Sequence, residues 1–184
     1  MNIRRVVTGH SNNKAVIMSD GPPPGIFHSR AVPGSASAVL WKTPSAPSVP
    51  QGQDNAVAVS PTLLPAVGES RLLLVTFAPD SVMASPDFDA AAAVREQMEA
   101  APDFAKTFEA DHPGMHTTDT VDYGVVLDGE VWLELDEGTQ VQLKPHDIFV
   151  QTGTRHGWRN KSDKPATLMF VMIGASRKGG ATKD

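Results

Sequence analysis

Apolar and polar residues alternate with a period of two over most of the second half of the chain. Residues 123–127, 130–135, 139–143, 147–151, 155–159 and 166–173 read as short strands. The joins carry turn residues: Asp128-Gly129, Asp136-Glu137-Gly138, Pro145 and Thr152-Gly153-Thr154. The first half carries the same pattern more sparsely. Residues 3–7 and 15–18 form a hairpin across Asn12-Asn13, and residues 38–41 and 71–77 are further strands. The last of these, R-L-L-L-V-T-F, is apolar on both faces and is expected to be buried. Gly21-Pro22-Pro23-Pro24-Gly25 is an extended loop, because consecutive prolines donate no ladder hydrogen bonds, and residues 43–54 read as a surface loop.

One helix interrupts the strands, predicted over residues 86–99. Ser85 is its expected N-cap, Pro86 suits the first helical position, and Asp87 and Asp89 favour the positive end of the dipole. Phe88, Ala91, Ala92, Val94 and Met98 form its apolar stripe, and Ala101-Pro102 ends it. Residues 103–114 read as irregular or as a short second helix closed by His112-Pro113-Gly114. Polar residues from Ser176 onward read as a frayed tail.

Short strands with frequent turns indicate an all-β barrel or sandwich. The 15 glycines and 15 prolines among 184 residues agree with that class. The absence of cysteine excludes disulfides, thiolate metal sites and Cys nucleophiles, so any metal must be held by nitrogen and oxygen. The formal charge of −5, without a basic run, argues against nucleic acid. No apolar h-region follows Arg4-Arg5 and no run is long enough for a membrane span, so a soluble cytoplasmic protein is expected.

Two histidines and a carboxylate on neighbouring strands, His116, Asp122 and His156, can be aimed at one interior point by a closed barrel. The residues around them resemble the cupin superfamily, whose motifs read G-x5-H-x-H-x3-4-E-x6-G and G-x5-P-x-G-x2-H-x3-N. Asp122, six residues before Gly129, takes the Glu slot. A three-residue gap then puts His116 and Thr118 in the histidine slots, whereas a four-residue gap would put Met115 and Thr117 there. Gly153, His156 and Asn160 match the second motif, with Pro145-His146-Asp147 at its turn.

The resemblance implies a double-stranded β-helix, or jelly-roll barrel, over residues 71–175 with a helical insertion near 85–112. An N-terminal β-rich extension (1–70) packs on the barrel, and a flexible tail spans 176–184. It implies a divalent metal ion (Fe, Mn, Ni or Zn) on His116, Asp122 and His156, with Thr118 holding a water or substrate hydroxyl in place of a fourth ligand. His112 is a candidate acid or base at the entrance, and Trp158 and Val126 are the expected pocket residues. The insertion is expected to cover the barrel's outer face or its mouth.

The implied function is a metal-dependent small-molecule enzyme, a lyase, dehydratase or dioxygenase, in a homodimer. A metal-free acid–base enzyme of epimerase type and a non-catalytic binding module are the alternatives. Tyr123, of opposite parity to Asp122, should face outward. Arg155 should lie at the surface with His10, His28 and His146, and Asn160 should fix a turn.

Overall fold

The computed structural model describes residues 3–49 and 62–178. The expected loop at 43–54 and the tail after Ser176 therefore lie partly outside the described residues.

The alternating segments form two sheets around a common core. The larger has six strands in the order β3 (Phe27–His28), β4 (Ala36–Thr43), β5 (Ser70–Phe77), β11 (Ala166–Gly174), β6 (Thr120–Asp128) and β9 (Ile148–Thr152). The smaller has the order β10 (Gly157–Arg159), β7 (Val131–Glu134) and β8 (Gln140–Leu143). All pairings within both are antiparallel. Leu73, Val126, Phe149, Leu168, Phe170 and Met172 of the large sheet meet Val131, Leu133 and Leu143 of the small one. Burial of these side chains, at roughly 25 cal/mol per Å² of apolar surface, is the main force that closes the sandwich. This is the β-barrel architecture that the strand pattern implied.

β1 (Arg5–Ser11) and β2 (Lys14–Gly21) form a separate hairpin, and its turn residues Asn12 and Asn13 both take positive φ, at 50° and 59°. β4 pairs with β5 inside the six-stranded sheet. On the sheet's outer face Ala38, Leu40 and Leu74 form a second apolar cluster, covered by Ile3 and Ile26. Tyr123 projects from that face and is exposed. His146 has φ 77° in its turn, a conformation costly for a residue with a Cβ.

The helical insertion differs in detail from the expectation. α1 (Asp80–Met83) precedes it, and the main helix α2 (Ala90–Ala100) starts four residues later than predicted. Asp89, not Ser85, is the cap, because its carboxylate accepts from the Ala92 N–H at 2.8 Å. Ser85 instead makes a turn, with its Oγ accepting from the Asp87 N–H. Pro102 begins α3 (Pro102–Ala105). Glu96 anchors α2 to the N-terminal segment by accepting from Ser29 Oγ and from the Arg30 and Ala31 N–H groups. These bonds, led by Ser29, hold its carboxyl near 2. Asp103 at the start of α3 accepts from the Leu63 and Leu64 N–H groups at 3.1 and 2.8 Å, and both leucines pack on the main core.

Asn160 fixes the turn between β10 and β11, as its position predicted. Only 1% exposed, it donates from Nδ2 to the Phe77 and Lys164 carbonyls at 3.0 and 2.8 Å. Its Oδ1 accepts from the Ser162 N–H and Oγ. Asn160→Ala leaves these buried partners unpaired, an expected loss of about 2 kcal/mol measurable by chemical denaturation.

Candidate functional site

His116, Thr118, Thr120 and Asp122 follow one another at every second position, and all four are buried. A bend at Asp119 divides the histidine end from β6 proper. Arg177 braces this bend: its guanidinium donates to the Asp119 carboxylate at 2.6 Å and to the Thr118 and Gly153 carbonyls. The first residues of the expected frayed tail are therefore docked.

His116 and His156 form an isolated antiparallel bridge. The His116 N–H donates to the His156 carbonyl at 2.8 Å, and the His156 N–H to the His116 carbonyl at 3.0 Å. Directly paired residues share a sheet face, so their rings meet with centroids 4.3 Å apart. Each Nδ1 lies against the main-chain oxygen two residues before it, Gly114 O at 3.3 Å and Thr154 O at 2.9 Å. A carbonyl only accepts, so Nδ1 carries the hydrogen in both rings and each Nε2 is left as the acceptor. Phe104 of α3 and Phe108 pack on the His116 ring, at 5.2 and 4.7 Å between centroids. The end of the helical insertion thus roofs the pair.

Burial dominates the electrostatics. It pushes His116 down to about 4, with the neighbouring His156 adding to the effect, against the Gly114 carbonyl and Glu109. It lowers His156 as well, opposed by the Thr154 carbonyl. It raises Asp122 to about 6, with the Thr120 hydroxyl opposing. Asp122 Oδ1 is buried without a hydrogen-bond partner. The Thr118 and Thr120 hydroxyls bond each other at 2.8 Å.

The imidazoles of His116 and His156 come together, but among the described residues no group of three His, Cys, Asp or Glu side chains could hold a metal ion. Asp122 lies beyond the bend at Asp119, and its side chain is one methylene shorter than the glutamate of the cupin motif.

His112, the candidate acid or base, lies at the surface. Its side chain is 64% exposed, and Nδ1 lies 3.3 Å from Glu109 Oε2. Glu109 and Asp136 hold Arg155, which keeps that residue at the rim as expected. Val126 is 0% exposed in the deep core, so it packs the core and does not line the site. Trp158 stacks among Phe77, Phe149 and Phe170 and turns an edge toward His156 at 5.9 Å between centroids. It fills the barrel beneath the imidazole pair. Thr118 is inside, as its parity required.

Phe104, Phe108, Gln151 and Arg71 were not among the expected site residues. Arg71 carried a legible signal, a cation opening an otherwise apolar strand. Gln151 carried one too, two residues before Gly153 of the second motif.

A double-layered antiparallel β fold with a buried histidine pair between strands is of the jelly-roll kind. Residues 107–172 match the family model described as Cupin domain. Over that stretch, about a third of the chain, the protein is similar to a cupin domain.

Curated relatives match the same part of the sequence. One is phomopsin biosynthesis cluster protein C' of Diaporthe leptostromiformis, 58% identical over 62 residues, 33% of each chain. Oryzines biosynthesis cluster protein J of Aspergillus oryzae is 49% identical over 69 residues, 35% of this chain and 38% of the relative. Cupin-domain-containing oxidoreductase srdB of Neurospora crassa is 38% identical over 60 residues, 32% of this chain and 31% of the relative. The matched stretch spans about a third of the length of these relatives. Among the described residues no helix is long and apolar enough to cross a membrane.

Proposed function

We propose that this protein is a cupin-type enzyme that rearranges a small carbonyl compound by proton transfer at the His116–His156 pair. The observation that carries this reading is the pair of main-chain carbonyls on Nδ1, which leave two neutral Nε2 acceptors side by side in a buried site. One Nε2 takes a proton from the carbon next to the substrate carbonyl. The electron pair of that C–H bond becomes the enolate double bond, and negative charge moves to the oxygen. The same proton then returns from the imidazolium to a neighbouring atom, so nothing is oxidised. The closeness of the rings disfavours charging both, which limits the pair to one proton at a time. Thr118, already bonded to Thr120, can orient a substrate hydroxyl. Relatives named as biosynthesis cluster proteins and cupin-domain-containing oxidoreductases support an enzyme acting on small molecules.

The test is deuterium exchange. Chelator-treated protein is incubated without oxygen in D2O with a panel of hydroxy ketones and hydroxy acids, and NMR follows deuterium entering the carbon beside the carbonyl. Exchange is expected with wild type and is expected to be lost in His116→Ala and His156→Ala. Turnover that requires added divalent metal or oxygen, or folded wild type inert across the panel, overturns the reading.

A further inference from the structure

Among the described residues, four buried side-chain nitrogen or oxygen atoms lack a hydrogen-bond partner, and three of them lie in one row of the six-stranded sheet. They are Arg71 Nε, Asp122 Oδ1 and Gln151 Nε2. The register runs Arg71 to Met172, Met172 to Asp122 and Asp122 to Gln151. Direct cross-strand partners project from the same face. Here that is the inner face, since Met172 belongs to the main core. The three polar residues are 7%, 5% and 4% exposed, so bulk water does not satisfy them. An unpaired buried polar atom is costly and rare, and three in one row of neighbouring strands indicate a shared missing partner.

The row reaches the histidine pair by two routes. Along β6, Asp122 is followed back by Thr120, Thr118 and His116 on the inward positions. From Gln151, the Oε1 accepts from the Thr154 hydroxyl, and the Thr154 carbonyl holds His156 Nδ1. Arg71 is already neutralised by Glu69 at 2.8 Å, which leaves its Nε–H as a plain donor. The row therefore offers two N–H donors and one carboxylate acceptor.

We propose that Arg71, Asp122 and Gln151 form the recognition row of this site for a small molecule carrying a carbonyl oxygen beside a hydroxyl or amide N–H. This rests on the proton-transfer reading only in placing the ligand's reactive end at the imidazoles. The carbonyl oxygen accepts from Gln151 Nε2, the adjacent O–H or N–H donates to Asp122 Oδ1, and Arg71 Nε, two strands beyond Asp122, donates to a second oxygen of the ligand. A ligand with a carbonyl but no donor leaves the carboxylate unpaired and is rejected for that reason.

Two probes separate these cases. Lactamide carries the carbonyl, a hydroxyl and amide N–H groups, while N,N-dimethylpropanamide carries the carbonyl alone. Binding to the full chain is measured by ligand-observed NMR titration, alongside thermal melts. Wild type is expected to bind lactamide roughly tenfold more tightly than the dimethyl amide, the worth of one hydrogen bond to a charged group. Gln151→Met, which removes the unpaired donor at similar volume, is expected to bind lactamide roughly tenfold more weakly. Gln151→Glu keeps the shape but turns the donor into an acceptor, and gives the same loss of affinity. Equal affinity of wild type for the two probes, lactamide binding unchanged in both Gln151 variants, or ordered water alone satisfying the three atoms in a lactamide-soaked crystal overturns the row. Those outcomes leave the deuterium-exchange result standing. Probe discrimination by a protein that catalyses no exchange would remove the proton-transfer reading alone.

Discussion

Gly124→Ala is expected to lower the stability of the fold by about 3 kcal/mol, the upper end of what overpacking a core costs. Gly124 sits on β6 directly opposite Phe149 on β9, and the tip of the Phe149 ring occupies the space that a Cβ would take. The backbone there is ordinary strand, so the penalty is one of packing. The ring has nowhere to go: its centroid is 4.9 Å from that of Trp158 and 5.4 Å from that of Phe170. Displacing it pushes on Trp158, whose edge supports His156. Urea denaturation measures the loss. Phe149→Leu in the Gly124→Ala background should recover part of it, a coupling that two independent sites would not show. A cost below about 1 kcal/mol would mean that the ring repacks freely, contrary to the close packing of interiors.

The second large effect concerns pH. His116 takes up a proton near 6.5 in the unfolded chain and only near 4 when folded. Between those values the unfolded state binds more protons, so this contribution to stability is present above 6.5 and is lost as pH falls toward 4. His156, also lowered, adds to it with the same sign. Asp122 works the other way. Folded, it keeps its proton up to about 6, whereas unfolded it releases it near 3.8. Its contribution therefore falls as pH rises from 3.8 to 6.

The effects of folding on His116 and Asp122 are similar in size and nearly cancel, so wild type should show only a shallow gain in stability from pH 4 to 6.5. Asp122→Asn removes the opposing member. The variant is expected to be more stable than wild type by about 1 kcal/mol at pH 7.5, because a desolvated charge is gone. Toward pH 4 its stability should fall by about 3 kcal/mol, since moving a group's pKa by one on folding is worth about 1.36 kcal/mol. Thermal melts across this range decide the matter. A steep acid loss already present in wild type, or an Asp122→Asn profile parallel to it, would mean that the carboxyl group is not desolvated as the fold implies.

Much of the architecture was legible because strand side chains alternate. Asp122, Thr118 and His116 share a parity that predicted their burial, and Tyr123, one residue on, predicted its own exposure. Asp128-Gly129 and Asn12-Asn13 announced their turns through residues that tolerate positive φ. The helix start was not legible in the same way. Ser85 and Asp89 are both competent caps, and only the carboxylate position relative to Ala92 selects the second.

The grouping of the candidate metal ligands was not legible for a related reason. Motif spacing says which residues can face inward, but not whether a bend at Asp119 separates them. Likewise nothing local to Arg71, Asp122 or Gln151 says that they share a row.

What the sequence determined by itself is local and periodic: the strand-rich class, the turns, the inward parity of His116, Asp122 and His156, and the cupin motif that carries them. What only the tertiary structure decided is the pairing between distant segments. That pairing sets His116 against His156, leaves Asp122 with Gln151, and places Arg71 one strand beyond Met172. The physical reason is that alternation repeats every two residues and is compatible with many registers. Closure of the two sheets over a single core selects one register, and with it the side chains that meet inside.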